Sequence, residues 1–257
     1  MFGLKKHKQM IENYICNNPK ILGAFYGGSI ARNDSDKYSD IDLRILVNEK
    51  SDKTDLLLKF INLFDDKLFI ETQTDDLAVF HLRNFLKIDI LIFYPKDLSP
   101  NIWLNNIYII KDKIGFLKYI KSNSENIVTV TSERINFACN KYLSYLIESY
   151  KRDKRDEIHY LNYSINMMTN IICHLWYLKL GEEPNTIGDW SKYEGNRSKL
   201  KNKEIQILTD ILYKDHFEQR NILNKEFLKV LHDIDNQHNI NSFKENKYIV
   251  ELIINRL

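Results

Sequence analysis

The stretch GAFYGGSIARNDSDKYSDIDLRILV, residues 23–47, ends a short apolar run in Gly27, Gly28 and Ser29 and, ten residues later, sets Asp40 and Asp42 one residue apart. Glycines let a ligand approach the backbone closely, and a turn that opens a helix offers amide N–H groups and a hydroxyl. That set suits phosphate oxygens, although a tight turn with a serine cap has the same composition. Two carboxylates on one strand face repel each other and resist burial without a cation. A divalent ion bound by oxygen ligands would relieve the repulsion, whereas a solvated strand edge would need none. Asp89 adds a third acid inside the apolar run KIDILIFYP, where a lone charge is costly. If its strand lies beside the one carrying Asp40 and Asp42, three carboxylates converge. Arg32 and Arg44 could touch phosphate in this arrangement, or could equally be surface or carboxylate-paired arginines.

The elements that must position these groups are legible from periodicity. Residues 6–18 place Met10, Ile11, Tyr14 and Ile15 at helical spacing before Pro19. Residues 21–26 form an apolar run, and Ile41, Leu43, Ile45 and Val47 alternate with Asp40, Asp42 and Arg44, which predicts a strand with both aspartates on one face. A helix is expected over 51–64 with Ser51 or Asp52 as cap, strands over 67–74 and 77–83, and the strongest strand over 87–95. Pro95 and Pro100 punctuate a connector, a short amphipathic segment reaches about Ile120, and SNSEN at 122–126 is loop-like. Helices are expected beyond it, over 132–152, 156–180, 202–213, 217–233 and 242–256, with Gly181 and Pro184 stopping the second. The expected fold class is α+β: a domain over 1–121 with a mixed sheet flanked by helices, then an all-α bundle over 122–257.

At 257 residues and 44% hydrophobic content the chain can bury a sizeable core. Thirty-seven basic against thirty-five acidic residues leave a formal charge of +2, which argues against a long nucleic acid as partner. The N-terminal segment lacks an apolar signal core and no later run approaches a membrane span, so a cytoplasmic protein is expected. Cys16, Cys139 and Cys173 are odd in number and widely spaced, which suits neither disulfides nor a zinc motif. All three are expected to be reduced and buried.

GGS, ten residues, DID and a later strand acid together resemble the DNA polymerase beta-like nucleotidyltransferase superfamily. The compact catalytic unit followed by helices is similar to antibiotic nucleotidyltransferases, most of all the lincosamide type, in YSDID, in the third acid shortly before KDL, and in the helical half beginning RINFACNKYLSYL. The resemblance implies an enzyme that moves a nucleoside monophosphate from a triphosphate, expected to be ATP, to a hydroxyl of a small acceptor and releases pyrophosphate. It assigns Asp40, Asp42 and Asp89 to catalysis and to Mg2+, with two ions expected, and Asp89 alternatively to deprotonation of the acceptor. Gly27, Gly28, Ser29, Arg32 and Arg44 would bind the nucleotide. Asn33 stands where many relatives have glycine, and Asp89 is shorter than the glutamate of some. The acceptor implied is an antibiotic, lincosamide before aminoglycoside, and a homodimer is expected because relatives often pair. Transfer to a protein or RNA, and a nucleotide-binding regulatory or antitoxin module without turnover, remain the competing readings.

In the helical half, His159, Tyr163, Asn166, Asn170 and His174 form one polar stripe, and Glu133, Asn136, Asn140, Ser144 and Glu148 another. Each suits either a cleft or a solvent face. Trp176, Trp190 and Tyr193 could stack on a ring or serve in packing.

Overall fold

Every second side chain of a strand falls on the same face, so the alternating runs of the N-terminal half can close one side of a sheet against helices. In the computed structural model, which describes residues 2–125 and 127–257, the chain divides into two compact units, Met1–Asn126 and Ile127–Leu257. The first unit runs α1 (Phe2–Asn17), β1 (Ile21–Tyr26), α2 (Gly28–Arg32), β2 (Ile41–Val47), α3 (Lys53–Ile61), β3 (Lys67–Gln73), β4 (Leu77–Leu82), β5 (Lys87–Phe93), β6 (Tyr108–Asp112) and α4 (Phe116–Asn123). Among the described residues its strands make one mixed sheet in the order β3-β4-β5-β2-β1-β6. β2 and β5 are parallel, and the other neighbours are antiparallel. The parallel pair is possible because α3 and the β3–β4 hairpin supply a crossover long enough to return the chain in the same direction.

The alternation in β5 shows how the sheet is used. Ile88, Ile90 and Ile92 are buried, while Lys87, Asp89, Leu91 and Phe93 are half-buried on the opposite face. Ile11 and Ile15 of α1 and Leu57 and Phe60 of α3 join the isoleucines in one apolar cluster. Full burial of one such side chain is worth roughly 1.5–3 kcal/mol, so this face anchors the sheet and leaves the other for polar groups. Asp52 caps α3 by accepting a hydrogen bond from the Asp55 N–H at 3.0 Å. A smaller cluster of Phe25, Leu104, Ile107, Leu117 and Ile120 packs α4 against β1.

The amphipathic segment expected before Ile120 resolves into β6 and α4. β6 is half-exposed along its length and lacks the alternation that marks β4 and β5; pairing with β1 makes it a strand. Lys111 in β6 also closes the end of α1, donating to the carbonyls of Ile15 and Asn18 at 2.7 and 2.8 Å. The expectation of three buried cysteines fails at Cys16, which is exposed because it lies on the outward face of the last turn of α1.

The second unit is helical: α5 (Ser132–Asp153), α6 (Ile158–Lys179), α7 (Asn202–Ile211), α8 (His216–His238) and α9 (Phe243–Arg256). Its core includes Tyr142, Trp176 and Phe227, and the Tyr142 hydroxyl donates to Asn224 at 2.8 Å. Thr131 and Asp215 cap α5 and α8 through the N–H groups of Arg134 and Glu218. Gly181 takes the left-handed conformation (φ 69°) just past α6, as a glycine stop requires. The architecture is the expected α+β class. Among the described residues no helix is long and apolar enough to cross a membrane.

Candidate active site

β1 delivers the chain to Gly27, whose N–H donates to the Asp42 carbonyl at 2.9 Å and ties the turn to β2. Gly27 is extended, with φ −96°, but Gly28 has φ +56°, where a Cβ is costly. A Cβ on Gly28 would also stand 1.9 Å from Asp42 Oδ2, so this glycine makes room for the carboxylate as well as for the turn. The amides of Gly28, Ser29 and Ile30 occupy the first turn of α2, where no helical acceptor precedes them. Ser29 itself is buried. Asn33 ends α2 in the left-handed region (φ 59°), which explains how asparagine serves where relatives carry glycine.

A local turn then aims the acids. The Asp36 N–H donates to Ser39 Oγ at 2.8 Å, and the Asp36 carboxylate accepts from the Tyr38 N–H at 2.9 Å, just ahead of Asp40. In the parallel register Asp42 of β2 lies directly beside Asp89 of β5. Asp40 meets Lys87 Nζ at 3.0 Å, and Asp89 Oδ1 accepts from Arg44 Nη1 at 2.8 Å. The strands thus bring the three acids to one end of a parallel pair, while two cations hold the outer carboxylates. Among the described residues no three His, Cys, Asp or Glu side chains are grouped to hold a metal ion.

Asp42 differs from its neighbours: its carboxylate makes no hydrogen bond or ion pair among the described residues. Burial pushes its pKa above the ordinary carboxylate value; Arg44 opposes that, and the charges of Asp89 and Asp40 add to it. The Lys87 ammonium is held above its usual value, first by its hydrogen bond to Asp40. The three acids do not close around a common point as they stand, but carboxylates are the hard oxygen donors that a divalent cation takes, and such a cation would offset the charge of the half-buried Asp42.

The two predicted arginines are engaged by carboxylates, Arg32 by Asp34 at 3.1 Å and Arg44 by Asp89. Sequence reasoning missed Lys87, although its place two residues before Asp89 on the same strand face was a usable signal. It also missed the row beyond: Lys87 faces His81 across β4, and His81 Nε2 lies 2.8 Å from Glu71 and stacks on Phe69. In the second unit the first stripe splits. His159, Tyr163 and Asn166 are exposed, Asn170 is buried, and burial together with Arg134 pushes the His174 imidazole pKa down. The second stripe is exposed at Glu133, Asn136, Asn140 and Ser144; Asn136 and Asn140 line a cavity of about 180 Å³ with Glu245 and Asn246. Trp176 and Tyr193 are buried packing residues, and Trp190 lies edge-on to Tyr193.

Residues 8–154 match the family model described as a nucleotidyltransferase domain. Two solved structures are similar at low identity. One is an aminoglycoside 6-adenyltransferase from Bacillus subtilis, with a TM-score of 0.47, 10% identity, and 96% of each chain covered. The other is a nucleotidyltransferase-like protein from Exiguobacterium sibiricum 255-15, with a TM-score of 0.45, 12% identity, and 90% of this chain and 76% of that one covered. No curated protein matches the chain.

Proposed function

Because this chain belongs to the nucleotidyltransferase domain family, whose model spans more than half of it, we propose that it transfers a nucleoside monophosphate from a triphosphate to a hydroxyl of a small acceptor. The observation that carries the reading is Asp42: a half-buried carboxylate without a partner among the described residues, seated against the Gly28 turn and in register with Asp89. In this reading the Gly27–Gly28–Ser29 turn presents amides and a hydroxyl to the terminal phosphates. Arg32 and Arg44 exchange their carboxylate partners for phosphate oxygens.

The acceptor oxygen attacks the α-phosphorus, the bond from that phosphorus to the bridging oxygen breaks, and pyrophosphate leaves with the bridging electrons. Asp89, which Arg44 holds at 2.8 Å before the nucleotide draws the guanidinium away, takes the acceptor proton. Nucleotidyltransferases of this kind use a divalent metal, here expected to be two Mg2+ ions. When bound by Asp40, Asp42 and Asp89, it would supply charge neutralisation at the attacking and leaving oxygens. The N-terminal segment of residues 1–121 is assigned to catalysis and residues 122–257 to the acceptor.

An antibiotic, lincosamide before aminoglycoside, is the acceptor class we propose, on the strength of the YSDID and KDL resemblance. The test is pyrophosphate release with magnesium and each triphosphate across both drug classes, with mass spectrometry of the drug and Asp42→Asn as control. A gain of one nucleotide on a drug, absent in the variant, supports the reading. Triphosphate binding with no modified drug refutes the antibiotic acceptor, and full turnover by Asp42→Asn refutes the site.

A further inference from the structure

The ion pairs that surround Asp42 imply more than restraint. Lys87 stands at the first position of β5 with its ammonium 3.0 Å from Asp40 Oδ2, and it feels the charges of Asp42 and Asp89 as well. The side chains of Lys87 and Asp40 are each more than one-third exposed, so the pair can open without tearing the core. A cation that takes Asp40 Oδ2 displaces this ammonium, and one that takes the other oxygen meets its charge at close range; a displaced ammonium is left beside the phosphates that arrive with the metal. A compact point charge on a flexible stem suits such an exchange, since it can follow a phosphate without a fixed geometry.

Resting on the nucleotidyltransferase reading above, we propose that Lys87 is a positioning residue that competes with the divalent cation for Asp40 and, once displaced, passes its charge to the triphosphate. The occupied site then gains one contact for each one it gives up: Asp40 exchanges an ammonium for a metal, and Lys87 exchanges a carboxylate for a phosphate oxygen. In the absence of nucleotide the lysine weakens metal binding, and in its presence the lysine strengthens triphosphate binding. A residue that merely closed the end of β5 would do neither.

The experiment is a titration of the full chain with Mn2+ alone, free ion being counted by electron paramagnetic resonance, for wild type, Lys87→Met, Lys87→Arg, Asp40→Asn and Asp42→Asn, each checked for folding by thermal melt. A partly exposed pair is worth up to about 1 kcal/mol, so Lys87→Met should bind Mn2+ severalfold tighter, to a limit of about fivefold. Lys87→Arg should remain near wild type, and the gain should vanish in Asp40→Asn/Lys87→Met. With nucleotide present, Lys87→Met should raise KM for the triphosphate more than it lowers kcat, and Lys87→Arg should restore it. Mn2+ binding that depends on Asp42 but is no tighter in Lys87→Met overturns the competition and leaves the nucleotidyltransferase reading standing. Mn2+ binding indifferent to both Asp40→Asn and Asp42→Asn overturns the site itself, and the inference with it.

Discussion

Gly27 and Gly28 are adjacent and chemically identical, yet they should respond oppositely to the same methyl group. At Gly28 the φ of +56° costs an alanine about 1–2 kcal/mol, because Cβ crowds the following carbonyl in the left-handed region. The new Cβ would also lie 1.9 Å from Asp42 Oδ2, which must retreat to at least 3.4 Å for an ordinary contact. Asp42 is the flexible partner, so the strain emerges as a displaced carboxylate more than as a broken sheet. The backbone term alone predicts a fall in Tm of roughly 2–8 °C for Gly28→Ala. Misplacing a reacting group by about 1 Å can cost about 100-fold in rate, so turnover should fall by about that factor. At Gly27 the backbone is extended and a Cβ would meet Asp42 Cβ at 3.7 Å, an ordinary contact. Gly27→Ala should therefore leave Tm unchanged or raise it slightly, since it removes only freedom from the unfolded chain. Scanning calorimetry of both variants, repeated in an Asp42→Ala background, separates the two parts: in that background Gly28→Ala keeps its backbone cost and loses the clash. Equal Tm values for Gly28→Ala and wild type, or equal damage from the two substitutions, would refute this account of the turn.

Three further outcomes are expected. Asp42→Asn should lose turnover yet melt higher than wild type at neutral pH in the presence of a chelator. With the folded pKa raised above 3.8, the native state holds its proton longer than the unfolded chain, so ionised Asp42 lowers stability as pH rises through that window. The two melting curves should coincide near pH 3 and separate by pH 7; a gap that is constant with pH contradicts the sign. Lys111→Met removes a charged donor from the carbonyls of Ile15 and Asn18 and should cost about 1–2 kcal/mol in urea unfolding, with no change if those bonds carry nothing. Ellman's reagent should titrate one thiol, Cys16, in the folded protein and three in guanidinium, since Cys139 and Cys173 are buried and burial pushes the Cys139 thiol up to about 12. Two or three fast thiols before unfolding would show that the helical core is not closed.

Periodicity and turn chemistry determined much of this molecule without any tertiary information. The alternation around Asp42 and Asp89 could only be read as strands, because period two is the spacing that gives a strand one buried face. The apolar spacing of α5 through α9 could only be read as helices needing mutual burial. The Gly27–Gly28–Ser29 turn was legible as a place where a ligand could approach the backbone closely, but that Gly28 alone takes the left-handed conformation was not. β6 was not legible, since its residues are half-exposed and become a strand only when β1 supplies the hydrogen-bond ladder.

Pairing across the chain lay beyond the sequence for the same reason. Arg44 and Asp89 are 45 residues apart, and nothing local to either states that β2 and β5 will be parallel neighbours in the register that joins them. One residue of slip would have turned Asp89 into the core and an isoleucine toward Asp42. The acids, the glycines and the strand that bears each were written in the residues. That Asp42 is the carboxylate without a partner among the described residues, while Lys87 holds Asp40 and Arg44 holds Asp89, was decided by the sheet, because burial and ion pairing are set by what the neighbouring strands bring alongside.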